Sequence, residues 1–168
     1  MSTIHPFSEQ LVSWYEKNAR DLPWRQTNDP YLIWLSEVIL QQTRVAQGLP
    51  YFEKFKENFP TVFDLAAAPE NVLLRHWQGL GYYSRARNLQ KTAKIVVEQF
   101  KGFFPKSYQE LIKLPGIGPY SAAAISSFAF GEPHAVVDGN VFRILARYFG
   151  IEADIADSKN RKIFEKLA

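Results

Sequence analysis

The 168-residue chain contains no cysteine. That absence removes disulfides, thiol nucleophiles and thiolate-held metals, and it fits a cytosolic home without requiring one. Its three histidines, His5, His76 and His134, lack the spacing of metal ligands, so no metal site is expected. No run of 18 apolar residues occurs, which argues against a membrane-spanning helix. The polar opening MSTIHPFSEQ does not have the form of a secretory signal. Internal repeats, low-complexity tracts and any sustained period-2 alternation are also missing, so no strand is expected. What is present is a hydrophobic content of 46%, too high for a disordered chain. A chain of this length buries roughly two-thirds of its unfolded surface, as one domain or two small lobes.

The net charge is only +3, so its distribution matters more than its sum. Between Arg75 and Lys113 stand Arg75, Arg85, Arg87, Lys91, Lys94, Lys101, Lys106 and Lys113 against Glu98 and Glu110, a local excess of six. A charge run alone reads most simply as a solvated helix face. Placed directly before an anion-binding turn, the same charges read better as a footprint for a DNA backbone.

Read in order, the chain is a series of helices punctuated by Gly and Pro. The first spans about Pro6 to Asn18 and is broken by Leu22-Pro23-Trp24-Arg25. Asp29 and Pro30 cap and open a helix reaching about Thr43. A third runs from about Val45 to Phe59, irregular near Gly48 and Pro50. Thr61 opens a short fourth, and Pro69 and Glu70 begin a fifth that stops at Gly79. Ser84 opens a long one ending at Gly102. Ser107 with Glu110 is a capping-box pattern for the next, and Pro119 to Phe130 follows it. The last two run from about Asn140 to Phe149 and from near Ser158.

The chain is organised around Leu114 to Asn140, LPGIGPYSAAAISSFAFGEPHAVVDGN. Gly116 and Gly118 bracket Ile117 in a tight turn, and Pro119 opens the next helix. Such a turn lets backbone approach a ligand and aims free N–H groups at an anion. Leu114 and Ile117 are the apolar pegs expected to hold it down. Downstream, Val136-Val137-Asp138-Gly139-Asn140 carries an acid to the mouth of a helix. Capping is the ordinary role for an Asp there. Glu37 lies in YLIWLSEVIL, a helix apolar on nearly every side. A buried carboxyl has a raised pKa, which a general acid needs, although a buried Glu bonded to backbone or Arg would read the same way.

LPGIGPY followed about twenty residues later by VVDGN resembles the helix-hairpin-helix plus Gly/Pro/Asp signature of the DNA base-excision glycosylases. The likeness covers nearly all of the chain and, with the EVILQQT segment, is most similar to the adenine-specific (A/G mismatch) DNA glycosylases. It implies an all-α, two-lobed fold: residues 29–133 in one lobe with the hairpin at about 107–130, and residues 1–28 plus 134–168 in a second, incomplete lobe. The implied reaction is hydrolytic removal of adenine opposite 8-oxoguanine or guanine, with double-stranded DNA as partner. The chain would act as a monomer, cytoplasmic or nucleoid-associated if its source is bacterial.

By the same resemblance, Glu37 is the acid that protonates adenine N7, and Asp138 is the anion that stabilises the cationic sugar. Asn140 helps orient the catalytic groups or water. Gln42 and Tyr82 are wedges in the duplex, with Gln41 beside them. Arg85, Arg87, Gly116 and Gly118 join them as DNA contacts. Trp24 and Arg25 are suited to line the adenine pocket, although Trp24 alone reads more readily as core. Tyr120 occupies the position of the Schiff-base Lys of endonuclease III-like relatives. Tyr cannot form that imine, which points to a monofunctional, water-using enzyme. Thymine or uracil mismatch glycosylases, endonuclease III-like enzymes and a non-catalytic hairpin module remain as alternatives.

RKIFEKLA stops in mid-pattern, and the resembling family continues with more helices, four cysteines around a [4Fe-4S] cluster and a further domain. A fragment is therefore expected, with no cofactor of its own and with Phe7, Leu11, Trp14 and Tyr15 partly uncovered.

Overall fold

The computed structural model describes residues 5–168, so the first four residues of the expected second lobe lie outside the described residues. Ten α-helices and two 3-10 turns account for the regular structure, and no strand occurs among the described residues. Helix starts follow local chemistry. In α1 (Pro6–Asn18), His5 Nδ1 accepts the Phe7 N–H at 3.1 Å. Asp29 caps α2 (Pro30–Leu40) through the Tyr31 N–H at 2.9 Å, with Pro30 in the first turn where its missing donor costs nothing. Thr61 and Asp64 form a full capping box for α4 (Val62–Ala67). After α5 (Glu70–Trp77), the 17-residue α6 (Ser84–Phe100) ends on a left-handed Lys101. Ser107 caps α7 (Tyr108–Leu111), α8 (Pro119–Phe130) ends on Gly131, and α9 (Gly139–Phe149) is capped by Asp138. A 3-10 turn leads into α10 (Arg161–Leu167).

Three expectations about the helices are corrected. The second helix stops at Leu40 rather than near Thr43, because the chain turns at Gln41 and reaches a left-handed Gln42 at φ 55°. The fifth stops at Trp77 rather than Gly79. The third, α3 (Val45–Asn58), runs unbroken through Gly48 and Pro50. Gly48 serves a helix crossing there: a Cβ would come within 2.7 Å of Leu40.

α2 is the centre of the packing. Ile33, Trp34, Leu35, Val38 and Ile39 are buried, and α3 and α8 pack against them. Each such side chain contributes about 1.5–3 kcal/mol of burial. The approach of α8 is close because Ser121, Ala122, Ala123, Ala124 and Ser126 present little bulk. Helices α2 to α8 thus enclose one large cluster, which also takes Leu22 and Trp24 from the N-terminal segment. A second, smaller cluster forms around Val137, Leu145 and Phe164, with Phe7 of α1 against Tyr148 and Phe149. The rest of α1 is loosely held: Leu11, Val12, Trp14 and Tyr15 are all exposed. No helix among the described residues is long and apolar enough to cross a membrane.

Candidate active site

Glu37 sits one turn from the C-terminal end of α2, between the buried Ser36 and Val38. An ionised carboxylate is poorly solvated there, and burial raises its pKa from 4.5 to about 7 against the opposing pull of Arg25. Near neutral pH this carboxyl is therefore close to half protonated. Arg25 reaches the site from the 3-10 turn Pro23–Arg25, which buries Trp24 and leaves Arg25 on the outside. Its guanidinium lies over the Phe128 ring, 4.2 Å from the centroid.

Tyr120 begins α8 and is 45% exposed. Its hydroxyl is pushed above the usual tyrosine value by burial first, then by the negative charges of Glu37 and Asp138, while Arg25 pulls it back. Arg25, Glu37 and Asp138, separated by up to 113 positions, thus all act on the Tyr120 hydroxyl.

Asp138 is held by its own helix. Its Oδ1 accepts from the N–H groups of Asn140 and Val141, both at 2.9 Å, and Oδ2 accepts from Asn140 Nδ2 at 3.0 Å. Capping and chemistry are not rivals here, because the cap bonds fix the carboxylate's direction. The Asn140 amide oxygen accepts in turn from Arg143, so Asn140 is locked between the two.

A cavity of about 480 Å3 opens beside this group, lined by Gln41, Gln42, Tyr82, Arg85, Gly118 and Tyr120 among others. A second, of about 340 Å3, shares Pro119 and Tyr120 with it and extends to Arg161 and Glu165 of α10. The walls of both include Tyr120 and neither carboxylate.

The hairpin turn is held as the sequence suggests, with Leu114 and Ile117 buried and Thr92 donating to the Pro115 carbonyl at 2.8 Å. Its two glycines differ. Gly116 has φ +76° and a Cβ there would meet Asn88 at 2.9 Å, so the turn itself requires glycine. Gly118, at φ −90°, caps α8 with no side chain and faces open space. The first N–H groups of α8 consequently have no side-chain partner and point outward.

Two expected site residues have partners within the protein. Arg85 borders the cavity of about 480 Å3, and its guanidinium donates to the carbonyls of Val38, Ile39, Gln41, Leu80 and Gly81. Trp24 is 6% exposed and packs edge-on against Phe52, within the core. Arg87 lies outside and pairs with Glu70 at 3.0 Å. Gln41 donates weakly to Ser121 at 3.4 Å, while Gln42 and Tyr82 remain exposed. Phe128 and Arg143 escaped the sequence reading. Helical spacing from Tyr120, two turns before Phe128, was the signal for the first. Nothing local marked the second.

The [4Fe-4S] cluster implied for longer relatives has no ligands here. The chain lacks cysteine, and no group of three metal-binding side chains occurs among the described residues.

A family model described as "HhH-GPD superfamily base excision DNA repair protein" matches residues 35–168. The chain is 46% identical over 162 residues to the adenine DNA glycosylase of Buchnera aphidicola subsp. Baizongia pistaciae, covering 96% of this chain and 44% of that protein. It is 44% identical over 163 residues to the adenine DNA glycosylase of Homo sapiens, covering 92% and 30%. It thus spans less than half the length of these relatives. A solved thermostable thymine-DNA glycosylase is similar in fold, with TM-score 0.85 and 28% identity over 96% of this chain and 76% of that one. A non-covalent endonuclease III–DNA complex gives TM-score 0.77 and 26% identity over 99% and 76%. With the hairpin, the capped Asp138 and the all-helical frame in place, the chain belongs to the HhH-GPD superfamily of base excision DNA repair proteins.

Proposed function

We propose that this chain hydrolyses the N-glycosidic bond of adenine mispaired with 8-oxoguanine or guanine in double-stranded DNA, leaving an abasic site. The observation that carries the reading is that a Glu37 carboxyl about half protonated near neutral pH and a cap-fixed Asp138 carboxylate both act on the Tyr120 hydroxyl. Glu37 gives its proton to adenine N7. The bond from the sugar C1′ to the base then breaks with its electron pair leaving on adenine, and Asp138 offsets the positive charge left on the sugar. Water adds to C1′, and its proton returns to Glu37. Similarity to proteins named adenine DNA glycosylases at 43–46% identity supports adenine as the base.

The chain is read as a monomer on double-stranded DNA, and the working compartment is wherever duplex DNA lies. The two hydrophobic clusters serve as two lobes with the flipped base between them. Single-turnover assays on A:8-oxoguanine, A:G and T:G duplexes test the reading. Adenine release without strand cleavage is expected; release of thymine alone would move the chain to the thymine mismatch enzymes, to one of which its fold is similar.

Tyr120 separates hydrolysis from lyase chemistry. Tyr120→Lys places an amine between Glu37 and Asp138, whose charges hold it protonated, so imine formation is slow and rises with pH. Borohydride should trap a covalent protein–DNA adduct in the mutant and none in the parent. Base release without any adduct, even at high pH, would mean that position 120 does not face the sugar.

The α8 N-terminus is the proposed phosphate contact. Gly118→Val meets no atom of the fold and has no strained φ, so the fold should persist with a melting temperature lowered by at most a few degrees through the poorer N-cap. Its side chain blocks the approach of a phosphate, and affinity should fall about tenfold on all duplexes alike. Unchanged duplex affinity would remove this helix end from the interface.

A further inference from the structure

Arg85 opens the first turn of α6 but its guanidinium points into the protein. The two terminal nitrogens serve different pieces of chain. Nη1 donates to Val38 and Ile39, each at 3.2 Å, and to Gln41, which are carbonyls left over where α2 ends. Nη2 donates to Leu80 at 3.0 Å and Gly81 at 3.4 Å, in the turn between α5 and α6. Trp77 and Tyr82 stack their rings on the same cation, at 5.1 and 5.7 Å.

Each of the two turns ends in a strained residue. Gln42 has φ 55° and Tyr82 has φ 47°, left-handed conformations that are uncommon outside glycine. They persist only where the surroundings over-determine them. Both side chains are exposed, with Tyr82 at 66%, and both line the cavity that reaches Tyr120. Among the described residues, the one group bonded to both turns is Arg85.

We infer that Arg85 is a positioning residue: its guanidinium bridges the α2 terminus and the 79–82 turn, and so holds Gln42 and Tyr82 at one fixed separation on the cavity rim. Resting on the proposed excision of a flipped base, that separation is what lets the two side chains enter the duplex together as the base leaves. The planar fork is essential, because a lysine's single ammonium cannot reach both sets of carbonyls.

The absence of cysteine makes the separation directly measurable. Spin labels on Gln42→Cys and Tyr82→Cys should give one narrow distance distribution. Adding Arg85→Lys, which keeps the charge, should broaden or split it while helical circular dichroism is retained. An unchanged distribution would overturn the bridge, since a guanidinium reserved for DNA phosphate would leave the free protein's turns as they are. If Arg85→Lys fails to fold, the labelled parent decides. A distribution that stays narrow through about 1 M salt supports a buried bridge, whereas a broad or two-peaked one overturns it. With the native Gln42 and Tyr82 in place, Arg85→Lys should lower adenine release by about a hundredfold through misplacement while undamaged-duplex affinity holds. Unchanged release beside a broadened distribution would overturn the positioning role. The label measurement involves no substrate, so failure of the bridge and failure of the adenine reading are separate results.

Discussion

Glu37→Gln should lower single-turnover adenine release by about a hundredfold or more while mismatch binding is retained. Gln keeps the shape and hydrogen-bonding capacity of the side chain but has no proton to give. The pH dependence makes the test specific. Glu37 acts in its protonated form and titrates at about 7, so release by the parent should be level below that pH and fall about tenfold per pH unit above it. The mutant's residual rate should lack this limb. A parent profile flat from pH 6 to 9 would remove Glu37 as the proton donor.

The same substitution has a stability signature of the opposite sign. Because the folded-state pKa is raised, folding opposes ionisation: the cost is absent below the unfolded value of 4.5, grows between 4.5 and about 7, and is complete above. Glu37→Gln should therefore be more stable than the parent above pH 7, by at most about 3 kcal/mol, and equal to it below pH 4.5. Chemical denaturation at pH 4 and pH 8 measures the difference. A site that raises stability when mutated and lowers rate is held in its buried position for chemistry.

Asp138→Asn should lower release by about a hundredfold to a thousandfold, the magnitude that losing a charge-stabilising group costs in other sites. Asn keeps an oxygen that can accept from the N–H groups of Asn140 and Val141, so α9 stays capped and the melting temperature should change little. What disappears is the negative charge beside the developing sugar cation, together with the bond that Oδ2 accepts from Asn140 Nδ2. Capping and catalysis separate in this mutant. A fall in rate no larger than twofold, with the fold intact, would leave Asp138 with its capping role alone.

Glu37 and Asp138 were legible for different reasons. For Glu37 the signal was an acid inside YLIWLSEVIL, where no helical face is polar enough to solvate it. For Asp138 it was an acid after two valines and before Gly139, a pattern that the resemblance turned from a cap into a candidate catalyst. Helix starts were legible because Asp29, Thr61, Ser107 and Asp138 bond their own next turn. Helix ends were less so. Gln42 and Tyr82 adopt left-handed φ without being glycine, and propensity does not foresee that. Gly116 and Gly118 look equivalent in LPGIGPY, yet only the first is bounded by Asn88, a residue 28 positions away.

Composition, periodicity and capping chemistry by themselves determined that this chain is all-helical, where most helices begin, and that Glu37 lies in apolar surroundings. Those are properties of neighbours along the chain. Only the tertiary structure decided what faces what. Arg85 and Arg87 are two residues apart and alike as charges, but one guanidinium is drawn inward to unpaired carbonyls and the other pairs with Glu70 at the surface. Trp24 and Arg25 are adjacent, and a single 3-10 turn sends one into the core and the other over Phe128. The carbonyls that capture Arg85 exist as a cluster only where the end of α2 meets the 79–82 turn. Contacts between segments 40 residues apart are set by packing, which no local pattern encodes.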